Sequence, residues 1–160
     1  MRSILLVFSL FIGVSTFGQL NDTIYKSFSD TTFFEGDKIL APEIIFTMSG
    51  LKMQPEYHDS ITVISDFLEK YPSIKIEIGV HTDSRGSSNM NLKLSERRAS
   101  FVKQELVNTF GIEPDRINSN GYGESAPIIM DEQIEKSNSN EEKEALYAKN
   151  RRIELRIIGV

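Results

Sequence analysis

The sequence predicts a two-layer α/β domain, in which helices pack on one face of a β-sheet. The segment 74–80 places isoleucine or valine at every second position, as in a strand with one buried and one solvated face. A strand covered by helices on both faces would instead be apolar throughout. Apolar residues recur at helical spacing on both sides of this strand, over 55–72 and 89–110, and 153–160 alternates again. This order of strands and helices predicts two layers.

The chain begins with a segment typical of a secretory signal peptide. Arg2 is followed by an apolar run over 4–14 and then by Thr16, Phe17 and Gly18, which is the order of charge, apolar core and cleavage region in such peptides. The run is about half of the ~20 apolar residues that a membrane-spanning helix needs. We therefore predict a signal peptide over 1–18; a retained membrane anchor is the alternative.

Residues 19–38 are predicted to form an irregular lead-in or tether, because they are polar, with scattered aromatic residues and no sustained period. Phe28, Phe33 and Phe34 are its candidates for packing against the domain. The domain itself is predicted over 39–160. Its first strand is expected over 39–48, with Pro42 at the start or on an edge.

Two helices and further strands complete the predicted domain. The apolar stripe of the first helix comprises Tyr57, Ile61, Ile64 and Leu68. The stripe of the second helix comprises Leu92, Ala99, Val102, Leu106 and Phe110, with Gly111 as a stop signal. A third strand is expected near 116–124. The segment 131–144 has six acidic residues against two lysines, which predicts a solvated loop or the start of a surface helix.

Composition argues against several functional classes. The chain contains no cysteine, so we expect neither a disulfide framework nor a lipid-modified cysteine. A net charge of -5 argues against nucleic acid as a partner. The two histidines, His58 and His81, have no metal-ligand spacing, and no Gly-x-Ser-x-Gly elbow or other activated nucleophile is present. We therefore predict no enzymatic activity, no metal and no cofactor.

Charged residues follow the alternating strand. Asp83 lies just past it, and Asn91 and Arg98 are seven residues apart on one stripe of the next helix. An arginine fork suits a carboxylate and an aspartate suits an ammonium group, so Asp83 and Arg98 fit a zwitterion such as an amino-acid head group. The alternative is that Asp83 pairs with Arg98 or caps the helix, and that Arg97 and Arg98 lie on its solvated face. Spacing alone leaves the two interpretations balanced.

Four blocks occur in order along the chain. They are F-x-x-x-x-x-x-x-x-P from Phe46 to Pro55, T-D-x-x-G from Thr82 to Gly86, L-S-x-x-R-A from Leu94 to Ala99 and N-R-R from Asn150 to Arg152. This ordered set closely resembles the OmpA-like peptidoglycan-binding domain of OmpA, Pal and MotB-type proteins, over about 44–157. The resemblance implies a four-stranded mixed sheet with helices on one face, in the order β-α-β-α-β-(loop or α)-β.

The resemblance also implies the ligand, which is the diaminopimelate of the peptidoglycan stem peptide. Its free end carries an amine and a carboxylate on one carbon. Asp83 matches the family aspartate that holds the ammonium, and Arg98 matches the arginine that takes the carboxylate. The other matched positions are Thr82, Ser84 and Gly86 in the adjacent turn, Asn91 near the peptide, and Arg151 and Arg152, which line or support the pocket. The motif does not distinguish which of these last two arginines faces inward.

The resemblance implies a protein that anchors itself or its complex to the cell wall. Its location would be the periplasm of a Gram-negative-type cell, near the outer membrane, with a role in envelope integrity. One alternative is an interaction subunit of an envelope complex with weak or no wall binding. The sequence 46–55 favours it, because Thr47, Ser49 and Gly50 stand where many members have an acidic or amide residue. Another alternative is a stator-type anchor held in the inner membrane by the run 4–14.

Overall fold

The computed structural model describes residues 25–44, 46 and 58–160. The predicted signal peptide and residues 47–57 lie outside the described residues. The elements in chain order are β1 (Tyr25–Lys26), β2 (Lys38–Leu40), α1 (His58–Lys70), β3 (Lys75–His81), α2 (Ser88–Asn108), β4 (Ile117–Gly123), α3 (Asp131–Ile134), α4 (Asn140–Asn150) and β5 (Ile153–Gly159). A 3-10 turn over Pro114–Arg116 precedes β4. None of the helices in the described part of the chain is long and apolar enough to cross a bilayer.

The strands form one mixed sheet in the order β1-β2-β5-β3-β4. The central strand β3 pairs parallel with β4 and antiparallel with β5, and β5 pairs antiparallel with β2. The predicted two-layer α/β class and mixed sheet are confirmed. The described residues contain five strands rather than the predicted four, because Tyr25–Lys26 in the lead-in pairs with Lys38–Ile39.

The first predicted strand is shorter than expected. β2 ends at Leu40, although the Ala41 N–H still donates to the Ile153 carbonyl at 2.9 Å. Pro42 follows, and proline has no N–H with which to continue a ladder. β2 therefore ends at Leu40, Phe46 forms an isolated β-bridge, and residues 45, 47 and 48 of the predicted strand lie outside the described residues.

Alternation on β3 separates the two faces of the sheet as predicted. Ile76, Ile78 and Val80 are buried against the helices, whereas Lys75 and Glu77 are not. α1 and α2 contribute the opposing layer. The buried apolar residues of these two helices are Ile61, Ile64, Phe67, Leu68, Ala99, Val102 and Leu106.

The predicted stripe of α2 is wrong at its first member. Leu92 is exposed, and the buried positions of the first turns are Asn91 and Ser95. The reason is close approach between α2 and β4, since a Cβ on Gly121 would lie 2.1 Å from the Glu96 nitrogen. Only small or hydrogen-bonded side chains fit such a contact, and the Ser95 hydroxyl accepts from the Gly123 N–H at 2.8 Å.

Residues 25–38 of the lead-in pack against the rest of the domain. Phe33 is buried, and its ring centroid lies 5.1 Å from that of Phe67 in an edge-on arrangement. Phe28 contacts the same ring at 5.5 Å. The predicted packing of these two residues is confirmed, whereas Phe34 is exposed and its predicted packing is wrong. The aromatic contacts and β1 together hold this segment to the sheet and to α1.

The acidic segment contains the start of a surface helix, which was one of its two predicted forms. Ser139 caps α4, accepting the Glu142 N–H at 3.1 Å. Glu141 and Glu142 occupy its first turn, where carboxylates interact favourably with the helix dipole. α4 brings the last acid of the segment, Glu144, toward the end of β3, where the candidate site lies.

Candidate functional site

The turn after β3 is held in place by Asn91 of α2. The Asn91 amide donates to the carbonyls of Asp83 and Arg85 at 3.2 and 3.3 Å and to a Glu124 carboxylate oxygen at 2.5 Å. Gly86 closes the turn with a φ of +109°, a conformation that favours glycine. Asn91 therefore positions the turn, and its amide NH2 group is engaged within the chain.

Asp83 lies in this turn with its carboxylate facing two arginines. It is only 6% exposed. The Arg85 backbone N–H donates to Oδ1 at 3.0 Å, and Oδ2 accepts from Arg85 Nη2 at 2.8 Å and Arg151 Nη1 at 2.7 Å. Burial alone would raise the pKa of Asp83, but the hydrogen bonds from Arg85 and Arg151 outweigh it and lower the pKa. The carboxylate is ionised at neutral pH, and Oδ1 keeps one lone pair.

Arg98 is half-buried on α2. Its guanidinium carbon lies 4.9 Å from the centroid of the Phe46 ring, a cation–π distance. Its Nε is buried without a hydrogen-bond partner, and no carboxylate among the described residues forms an ion pair with it. Burial, and to a smaller extent the charge of Arg151, lower the pKa of Arg98. The side chain is thus a partly desolvated cation that would gain from an anionic partner.

A cavity of about 450 Å³ opens beside Arg98; we call it the Arg98 cavity. Its lining residues are Leu40, Ala41, Pro42, Glu43, Ile44, Phe46, Val80, His81, Arg98, Ala148, Lys149, Arg151, Arg152 and Ile153. Four of these carry positive charge and one carries negative charge. The cavity therefore combines apolar walls with an excess of cations, which suits a small anionic or zwitterionic ligand.

The interpretation of the charges as an Asp83–Arg98 pair or a helix cap is wrong. Asp83 pairs with Arg85 and Arg151. The cap of α2 is Ser87, whose hydroxyl accepts the Met90 N–H at 3.3 Å. Arg97 alone lies on the solvated face, where it donates to the Lys93 carbonyl.

The model of the OmpA family matches residues 45–141, which is more than half of the chain. The chain belongs to the OmpA family. Curated relatives include outer membrane porin F of Pseudomonas aeruginosa, 36% identical over 115 residues that make up 72% of this chain and 30% of the porin. The peptidoglycan-associated lipoprotein of Buchnera aphidicola is 31% identical over 109 residues, or 68% of this chain and 57% of the lipoprotein. The resemblance found in the motifs is confirmed, and the predicted envelope location agrees with these relatives.

Solved structures share the fold of this OmpA-family domain. The peptidoglycan-associated lipoprotein of Burkholderia pseudomallei superposes with a TM-score of 0.55 at 24% identity, covering 71% of this chain and 87% of that one. A MotB-like protein of Desulfovibrio vulgaris gives a TM-score of 0.58 at 22% identity, covering 77% and 74%. The chain spans about a third to a half of the length of the first curated relatives it matches.

The two arginines of the N-R-R block point to different places. Arg151 donates to Asp83 and lines the Arg98 cavity. Arg152 donates to Glu154 at 2.7 Å and to the carbonyls of Asn150 and Ala126. Both arginines therefore line the Arg98 cavity, but only Arg151 contacts Asp83, whereas the hydrogen bonds of Arg152 hold the chain around the site.

Thr82 and Ser84 lie beside Asp83 but do not line the Arg98 cavity. Both border a smaller hollow of about 210 Å³, together with Glu124 and Asp131. Ser84 donates to Asp131 at 2.7 Å, and the Thr82 hydroxyl is buried without a hydrogen-bond partner. The structure thus places Arg98 and Arg151 at one cavity, joins Asp83 to it through Arg151, and places these two hydroxyls elsewhere.

Two residues of the site were not found from the sequence. Arg85, an unspecified position of T-D-x-x-G, supplies three donors to Asp83. Glu144 pairs with both Arg85 and Arg151, at 2.7 and 2.8 Å. The Arg85 guanidinium also lies 4.6 Å from the Tyr147 ring centroid on α4. The sequence could have pointed to Arg85, because it is a charged residue within the T-D-x-x-G turn. No feature of the sequence singles out Glu144.

A buried polar cluster adjoins the site, and two of its members, His81 and Arg152, also line the Arg98 cavity. Glu154 accepts from Tyr25, Arg152 and Lys38, and these contacts hold its pKa at about 2 although burial alone would raise it. His81 stacks on Tyr122 with ring centroids 5.0 Å apart. Burial, followed by the charge of Arg152, lowers the pKa of His81 to about 4, so the ring is neutral at pH 7.

Proposed function

We propose that this domain binds peptidoglycan non-covalently, without catalysing a reaction, through the diaminopimelate of the stem peptide. It thereby anchors its protein or complex to the cell wall in the periplasm. The observation that carries the proposal is Arg98, a half-buried cation facing a cavity with no carboxylate partner among the described residues. A bidentate ligand carboxylate would supply the missing anion.

The charges around the Arg98 cavity favour a zwitterion over a simple anion. Next to the cavity, Arg85 and Arg151 pair with two carboxylates, Asp83 and Glu144, and Arg98 is left as the excess cation. One ligand carboxylate would balance the excess positive charge. The ligand ammonium would take the remaining lone pair on Asp83 Oδ1, which holds only the Arg85 N–H. An amine and a carboxylate on one carbon meet both requirements.

Relatives of this chain include a protein named for its association with peptidoglycan, and structural neighbours include a cell-wall anchor of Pseudomonas aeruginosa. These names support wall binding as the function to test first. No cofactor or metal enters the proposal. An interaction subunit of an envelope complex is the second candidate, and it predicts that the chain has weak or no affinity for the wall.

The test is co-sedimentation with insoluble peptidoglycan that contains diaminopimelate, with free diaminopimelate as competitor. Arg98→Met removes the guanidinium and keeps an apolar stem over Phe46. Hydrogen bonds to charged groups contribute about 1.5–3 kcal/mol, so we expect affinity to fall by roughly 10- to 100-fold. The matched control is Arg97→Met, the adjacent exposed arginine, which should sediment like the wild type.

Each outcome separates one hypothesis from another. Wild-type protein that stays in the supernatant at moderate salt would favour the interaction subunit. Wild-type binding that survives in Arg98→Met would reject the zwitterion site while keeping wall binding. Loss of binding in both arginine variants would indicate non-specific charge attraction, since Arg97 faces solvent and lies away from the cavity.

A further inference from the structure

Four charged residues, Asp83, Arg85, Glu144 and Arg151, form a closed ring that adjoins the Arg98 cavity through Arg151. Arg85 and Arg151 each donate to both carboxylates of the ring. The contacts to Asp83 are 2.8 and 2.7 Å, and those to Glu144 are 2.7 and 2.8 Å. The two arginines therefore bind the Asp83 carboxylate on one side and the Glu144 carboxylate on the other, at matching distances.

The two carboxylates of the ring differ in how easily they can be replaced. The Asp83 side chain is 8% exposed and fixed in the turn after β3, whereas the Glu144 side chain is 52% exposed on the surface helix α4. Ion pairs in such exposed positions contribute little to stability, because water competes for both partners. The Glu144 position can thus exchange with an external carboxylate, while the Asp83 position cannot.

We propose that Arg85 and Arg151 form a second carboxylate subsite, which Glu144 occupies until a ligand carboxylate replaces it. Arg151 also lines the Arg98 cavity, so the subsite adjoins the place where the zwitterionic head group would bind. The inference rests on the proposed function and adds a specificity rule. Ligands with a second carboxylate near the head group bind more tightly, and Glu144 lowers their affinity by competition.

A pair of small probes isolates the second carboxylate. Diaminopimelate carries two carboxylates, and L-lysine has the same carbon chain and both amines but lacks one carboxylate. Both are titrated by calorimetry into the full chain, the Glu144→Gln variant and the Glu141→Gln control. The control removes the same charge from the same helix, at a residue that contacts neither arginine of the ring.

The expected result is a several-fold gain in diaminopimelate affinity for Glu144→Gln, with lysine affinity unchanged and Glu141→Gln equal to the wild type. If the Glu144→Gln variant binds diaminopimelate and the wild type does not, the inference is also supported, because the Glu144 carboxylate would then block the wild-type subsite. An equal gain for both probes would overturn the subsite and leave the proposed function standing. Failure of every protein to bind either probe would overturn both.

Discussion

Asp83→Ala and Arg98→Met are expected to separate folding from ligand binding. The sequence alone predicts that alanine at either position would abolish wall binding and leave thermal unfolding nearly unchanged. The structure alters that expectation for Asp83. Its carboxylate is buried and joins the turn after β3 to Arg85 and to Arg151, 68 residues further along the chain. Arg98 has no such role, because no described residue accepts a hydrogen bond from it.

The stability change can be estimated from these contacts. A hydrogen bond to a charged group contributes about 1.5–3 kcal/mol, but the side chains of Arg85 and Arg151 are 50% and 37% exposed and can be rehydrated. We therefore expect Asp83→Ala to lower the free energy of unfolding by about 2 kcal/mol. At roughly 3–5 °C per kcal/mol for a domain of this size, Tm should fall by about 6–10 °C. Arg98→Met should stay within about 0.5 kcal/mol of the wild type.

Thermal unfolding at pH 7.5, followed by circular dichroism, measures both variants beside Asp83→Asn. The asparagine keeps an acceptor for the Arg85 N–H and should melt between the wild type and the alanine variant. An Asp83→Ala Tm within 2 °C of the wild type would show that the arginine pair does not stabilise the turn. A comparable Tm loss in Arg98→Met would show that Arg98 is a structural cation, and its loss of wall binding would then be uninformative.

Two further predictions concern stability. The pKa of His81 in the folded chain is about 4, so acidification from pH 6.5 toward 4 protonates this residue in the unfolded chain but not in the folded one. The free energy of unfolding therefore falls over this pH range, by about 2 kcal/mol at pH 5. His81→Phe keeps the stack on Tyr122 and should remove this contribution to the drop in unfolding free energy between urea titrations at pH 7.5 and pH 5. If the variant shows the same drop as the wild type, His81 is not a buried neutral ring. Gly121→Ala should cost several kcal/mol or prevent folding, because its Cβ would lie 2.1 Å from the α2 backbone. Gly36→Ala is the control, because no atom lies within 4 Å of the added Cβ. Its positive φ should lower the unfolding free energy by only about 1–2 kcal/mol in the same titration. Equal losses in the Gly121→Ala and Gly36→Ala variants would mean that the β4–α2 contact is loose.

Periodicity predicted the parts of the fold that are long enough to have a period. β3 alternates over seven residues, and Ile61, Ile64 and Leu68 of the predicted α1 stripe are buried as expected, while its fourth member, Tyr57, lies outside the described residues. β1 has two residues, too few to show alternation, so its pairing with β2 was not predictable. The exposed Leu92 has a different cause. The contact of α2 with β4 depends on Gly121, which lies 29 positions further along the chain, and local pattern carries no information about it.

The motif blocks predicted which residues approach the site but not how they share its charges. Arg151 and Arg152 are adjacent in an extended segment, where successive side chains point to opposite sides. One therefore reaches Asp83 while the other reaches Glu154. Glu144 contacts Arg85 across 59 positions from an acidic segment that predicted only a solvated loop or the start of a surface helix. Such long-range pairing follows from where α4 is placed, which the local sequence does not encode.

Arg116 shows what a structural arginine looks like in this fold and so clarifies the role of Arg98. The Arg116 guanidinium donates to the carbonyls of Leu68, Tyr71 and Ile74 at 2.8 to 3.1 Å, joining the end of α1 to the start of β3. Arg98 is also partly buried, yet its Nε has no partner, and burial, followed by the charge of Arg151, lowers its pKa. A methionine over Phe46 would serve folding at least as well. The guanidinium is therefore better explained by an anion that arrives from outside the chain than by any contact within it.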